Sequence, residues 1–153
     1  MKKYELTAEF IEKWGKKLFR IKALISFGSV EAGELGGYIE KEDNLAHDGN
    51  AWVYGNAEVY GDARVSGNAD YLLIGRIGSR FSFTTFFKNK DKGITVSCGC
   101  FLGTIAEFRA KVTDTHGNNK HAKIYNLAAD MAELQILGEE HFDKLNTNKS
   151  EPF

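Results

Sequence analysis

Between Val96 and Phe108 the chain reads VSCGCFLGTIAEF, a strand-like run, a Gly-Cys-Phe-Leu-Gly turn and a helix start. Thr104 and Glu107 form a T-x-x-E capping box, which marks the first helical turn. Such a turn carries unpaired N–H groups and a partial positive charge, so it can hold an anion. Gly99 and Gly103 let a ligand approach the backbone there. Upstream, IGSR places Arg80 on a second glycine turn, and the following run supplies Thr84, Thr85 and Lys88. Arg80 can grip a phosphate bidentately while the threonine hydroxyls orient it. Arg80, Thr84, Thr85, Lys88, Gly99, Gly103 and Thr104 together predict a site for a phosphate-bearing ligand. The purely structural reading has the glycines terminate strands and Arg80 pair with a surface carboxylate.

Cys98 and Cys100 are spaced i and i+2, so on a strand they face the same way and suit burial as small apolar groups. Only Gly99 separates them, too tight for an ordinary disulfide between elements, which fits a reducing compartment. A zinc site needs two more ligands, and His116, His121 and His141 show no recognised Cys/His spacing, so no metal site is expected. A nucleophilic cysteine beside His116 lacks any nameable third residue to orient the pair. No cofactor is implied.

The elements that must position these residues follow from patterning. At 153 residues the chain is expected to form a single domain over residues 1–138, with a loosely ordered tail over 139–153. Residues 5–15 (ELTAEFIEKWG) predict a short helix capped by Thr7 and closed by Gly15. In FRIKALISF, Phe19, Ile21, Ala23, Ile25 and Phe27 fall on one side of a strand, so the N-terminal helix and strand occupy 4–30. Repeats fill 44–72. FSFTTFF and GITVSCGCF predict a hairpin joined by KNKDKG, and two helices complete a part spanning 73–138. In the second helix Ala122, Tyr125, Ala129, Ala132 and Ile136 keep heptad spacing, while Ile124, Leu127, Met131 and Leu134 fall elsewhere around the cylinder. A helix apolar on more than one face predicts either internal cover on both sides or a partner.

Charge excludes some classes. Lys and Arg number 20 against 21 Asp and Glu, so there is no global basic footprint for nucleic acid. No stretch approaches the ~18 apolar residues that a membrane span requires, so the chain is expected in the cytoplasm.

Residues 50–71, NAWVYGNAEVYGDARVSGNADY, repeat every six positions. Val53, Val59 and Val65 recur, each followed two residues later by Gly55, Gly61 or Gly67 and four later by Ala57, Ala63 or Ala69. Gly-Asn and Gly-Asp pairs tolerate positive φ and signal turns. A chain turning the same way every six residues predicts a short parallel β-helix within an α+β fold, the rival being an antiparallel meander of very short strands. So short an array cannot bury a core alone; it needs flanking cover, a second subunit, or both. Trp52, Tyr54 and Tyr60 fall on outward positions and, with Tyr125, are candidate interface residues of a dimer or trimer. The alternative is that the N-terminal strand covers them.

LFRIKALISFGSVEAGELGGYIEKEDNLAHDGNAWVYGNAEVYGDARV, with CGCFLGTIAEFRAKV and THGNNKHAKIY downstream, resembles a family of small hexapeptide-repeat proteins widespread in bacteriophages and prophages. The resemblance covers about residues 4–135 and implies origin and fold more than chemistry. It implies a non-enzymatic protein in the host cytoplasm that binds a host defence protein or sequesters a nucleotide-type signal. The chain is also similar in repeat logic to hexapeptide acyltransferases, in which a histidine acts as general base, a role that would fall to His47 in NLAHDG. Against that, His47 occupies an inward slot and too few repeats follow to build a groove for coenzyme A. A structural component of the virion or of a polymer is the third reading.

Overall fold

The computed structural model describes residues 2–13, 15–99 and 101–139. Two four-stranded sheets and two C-terminal helices make up the architecture. The first sheet has the order β1 (Tyr4–Lys13), β2 (Lys16–Ala23), β3 (Leu35–Ile39), β4 (Glu58–Val59), with β1 and β2 antiparallel and β3 and β4 parallel. The second is antiparallel throughout: β5 (Tyr71–Ile77), β6 (Ser82–Lys88), β7 (Ile94–Cys98), β8 (Phe101–Thr104). Helices α1 (Ile105–His116) and α2 (Lys120–Ala132) follow, and α2 runs on into a wider π turn over Glu133–Leu137.

The helix predicted for residues 5–15 is instead strand β1. ELTAEFIEK satisfies both periods, and pairing decides between them. Tyr4 lies opposite Ala23 and Phe10 opposite Phe19, their rings 6.0 Å apart, with Gly15 at positive φ where the hairpin turns. The β6–β7 hairpin and both C-terminal helices lie where the patterning places them, but the Gly-Cys-Phe-Leu-Gly turn does not form as expected: the strand ends at Cys98, and Phe101–Thr104 is strand β8, paired back on β7.

The parallel β-helix does not form. Within residues 51–70 the only strand is the two-residue β4, and the repeats pair with the chain before and after them, not with one another. Tyr38 pairs in parallel with Glu58 and Leu45 with Val65, while Ala63 bridges antiparallel to Asn89. The inward partition was legible at Val53, Val59, Val65, Ala57 and Ala63, which are at most 1% exposed, but not at Ala69, which is exposed in the turn over Asn68–Asp70. What defeats a solenoid is that the opposite face is covered too. Trp52 and Tyr60, placed outward by the repeat, are fully buried. Phe27 and Tyr4 lie edge-on to Trp52, and Tyr60 packs with Leu18, Tyr38 and the ring of Phe87. These two are therefore core, not interface; Tyr54 remains exposed, and Tyr125 is buried among the helices.

Local polar groups fasten this layer. The Asn44 side chain is fully buried; its Oδ1 accepts from the backbone N–H groups of Glu40 and Lys41, and its Nδ2 donates to the carbonyls of Gly61 and Ala63. Lys3 is buried as well, donating to the carbonyls of Ala51 and Gly49 with its ammonium over the Phe27 ring. β3 is held close because Gly36 and Gly37 carry no side chain: a Cβ on Gly36 would lie 2.6 Å from the Val53 carbonyl oxygen.

Strand alternation gives the second sheet two working faces. Tyr71, Leu73 and Phe87 face the repeat layer, and Leu72, Ile74, Phe86, Val96 and Cys98 face the helices. Among the described residues no helix is long and apolar enough to cross a membrane. The tail predicted from 139 lies, from residue 140, outside the described residues, as do Cys100 and His141.

Candidate functional site

A cleft of about 1020 Å³ opens where the β5–β6 turn, the β7–β8 turn and the two helices converge. Each wall has a local cause. The turn begins at Gly78, which has φ 84° and no room for a side chain, since a Cβ there would overlap the Tyr125 hydroxyl. Ser79, Arg80 and Ser82 follow it into the cleft. From the sheet come Cys98, Gly99, Phe101 and Leu102. Helix α1 contributes Phe108, Lys111, Val112, Thr115 and His116, which are spaced by three and four residues and so share one face.

The lining is mostly apolar, and its charged residues, Arg80 and Lys111, are both cations. Among the described residues neither has an ion-pair partner. Tyr125 forms the floor: its ring meets Phe108 edge-on at 5.6 Å and stacks on His116 at 5.9 Å. Burial and the neighbouring Cys98 thiol push its phenol up to about 12, partly opposed by Arg80. The phenol is therefore a neutral hydrogen-bonding group near neutral pH. Cys98 Sγ accepts from Thr84 Oγ1 at 3.2 Å and lies 4.0 Å from the Tyr125 hydroxyl.

This geometry redistributes the residues expected to hold a phosphate. Arg80 and Gly99 meet in the cleft, and Thr84 lies beneath it, bonded to Cys98. Thr85 is on the other face of β6, accepting from the Glu58 N–H, so the two threonines cannot serve one ligand. Lys88 is at the far end of the strand, 3.7 Å from Asp70. The start of α1 is occupied by its own cap. Thr104 Oγ1 accepts from Glu107 N–H, and the Glu107 carboxylate accepts from Thr104 N–H and lies against Gly103. A carboxylate thus sits where the anion was expected, which moves the cationic site from Gly103 and Thr104 to Arg80 and Lys111.

His47 is committed elsewhere. Its Nδ1 accepts from Lys3 N–H at 3.0 Å, its Nε2 donates to Glu42 at 2.8 Å, and its ring stacks on Tyr4 at 4.1 Å. With both nitrogens engaged it has no lone pair free to take a substrate proton. His116 and Cys98 share the cleft without a hydrogen bond between them, since His116 stacks on Tyr125 and Cys98 is bonded by Thr84. Among the described residues no group of three or more His, Cys, Asp or Glu is placed to hold a metal ion.

The chain matches no protein-family model and no curated protein. The likeness to phage hexapeptide-repeat proteins therefore rests on the residues quoted for it.

Lys111 and Thr115 were missed as cleft residues, and Tyr125, expected at an interface, lines the cleft instead. The available signal was on α1, where Lys111 and Thr115 border the Phe108–Val112 stripe on the side that His116 continues.

Proposed function

We propose that this chain is a non-enzymatic binding protein whose cleft captures a small anionic ligand with a planar, unsaturated portion, of the nucleotide type. The observation that carries this reading is the pairing of unneutralised Arg80 and Lys111 with an apolar, aromatic wall of Phe101, Phe108 and Tyr125. Arg80 and Lys111 would take the phosphate, in the charge-assisted bonding that favours Arg for such groups. The aromatic wall would take the base, because stacking is tolerant of base identity. The volume is at the upper end of ligand cavities, which run to about 1,000 Å³, so a ligand larger than a mononucleotide fits. In a phage setting, capture would deprive a host defence system of its signal.

Isothermal titration against cyclic nucleotides and ADP-ribose derivatives tests the reading. Arg80→Ala and Lys111→Ala should each weaken binding by about tenfold, near 1.4 kcal/mol. Silence across the panel removes it.

A further inference from the structure

His116 lines the cleft with Arg80 and Lys111 but has no part in the ligand contacts assigned above. It is the last residue of α1, and its ring stacks on Tyr125 at 5.9 Å and lies 5.4 Å from the ring of His121. Among the described residues neither His116 nor His121 is paired with a carboxylate. The acids of α1 are engaged or turned away. Glu107 is held in the cap with Thr104, and Asp114, two residues before His116, is rotated from it by about 200° around the helix. On α2, Asp130 and Glu133 are bound to Arg109.

None of the groups that share the cleft or the ring contacts with His116 is therefore a carboxylate. Arg80 comes from the β5–β6 turn, Lys111 from α1, the Cys98 thiol from β7, and His121 and the neutral Tyr125 phenol from α2. Opposed influences meet at this ring. The C-terminal end of a helix favours a cation, whereas Arg80, Lys111 and a second imidazole at 5.4 Å disfavour one. His121 Nδ1 is enclosed and has no partner, so a proton there would go unbonded; His116 is the ring of the pair that can charge. An anion held by Arg80 and Lys111 cancels the repulsion and supplies the counter-charge.

Resting on the reading of the cleft as an anion site, we propose that His116 is its third cation, and that capture of the ligand's phosphate is coupled to uptake of a proton by His116. Histidine changes charge between about pH 5 and 8. A ligand that favours the imidazolium binds most tightly below the range in which the free ring titrates, and the gain is lost as pH rises through the range of the occupied one. Affinity therefore climbs as pH falls.

Isothermal titration of the full chain with cyclic mononucleotides, cyclic dinucleotides and ADP-ribose tests this, since their phosphates keep a constant charge across that range. For the members that bind, affinity should rise about tenfold from about pH 8 to about pH 5.5. Binding enthalpies in two buffers of different ionisation enthalpy should report proton uptake by the wild-type chain. His116→Gln, with unchanged circular dichroism, should abolish both responses, and His121→Gln should keep them. Wild-type binding that is indifferent to pH and buffer overturns the proposal and leaves the anion site standing. A response that survives His116→Gln does the same. Silence across the panel removes the anion site and the proposal together.

Discussion

Gly78 and Tyr125 show how one missing methyl group shapes a cavity. The Tyr125 hydroxyl lies where a Gly78 Cβ would be, and the glycine itself is at φ 84°, a conformation that costs other residues energy. Gly78→Ala should destabilise the fold by about 2 kcal/mol through strain and displacement of Tyr125, read as a lower urea midpoint, and should distort the cleft. Asn44 makes the complementary case. Its amide uses two acceptor and two donor contacts inside the repeat layer, so Asn44→Ala takes a partner from four backbone groups, of which the Ala63 carbonyl keeps the Arg64 guanidinium. That should cost about 2–3 kcal/mol in a denaturant titration. Of the cleft residues, Arg80 and Gly99 were visible in the sequence because a cation and a glycine turn announce themselves locally. Lys111 and Tyr125 were not, because their role depends on helices docking beside a turn that lies 31 and 45 positions earlier in the chain.

At the scale of elements, legibility tracked how local the determining contacts are. The start of α1 was readable because its cap is closed within four residues. Thr104 and Glu107 bond reciprocally, as the motif requires. Thr104→Ala should cost about 1 kcal/mol, seen as a lower melting temperature. Strand β1 was misread because a charged stretch with apolar residues at mixed spacing fits either period, and its choice is made by β2, across a hairpin. The repeat failed in a more instructive way. Its three valines and the alanines at 57 and 63 point inward as a solenoid demands, yet Ala69 is exposed, and Trp52 and Tyr60 are too large and apolar to leave in water, so β2, β3, the Phe27 loop and the second sheet close over them. The repeats' backbone is paired with β3, Leu45 and Asn89, so no second coil of repeats pairs with the first. The phosphate site moved for an equally local reason: the motif that signals a helix start also fills it with a carboxylate.

For the whole molecule, buried phenols set a limit at alkaline pH. Burial raises Tyr4, Tyr60, Tyr71 and Tyr125 above the usual 10.0, Tyr125 to about 12. A phenol raised by folding leaves stability intact below pH 10. Above that the unfolded chain ionises while the folded one does not, so stability falls by up to about 1.4 kcal/mol per pH unit for each phenol. Phenolate absorbance from these four should therefore emerge at higher pH in the folded chain than in the chain unfolded in urea.

Phe86 and Phe87 are neighbours on β6, yet the first is packed with Phe108 among the helices and the second beside Tyr60 under the repeats. A peptide bond is all that separates the two hydrophobic interiors, and neither can lose its shared wall without exposing the other. The helices therefore cannot melt away and leave the N-terminal half standing. Heating should give one calorimetric peak, and a lesion in either interior should move that peak as a unit.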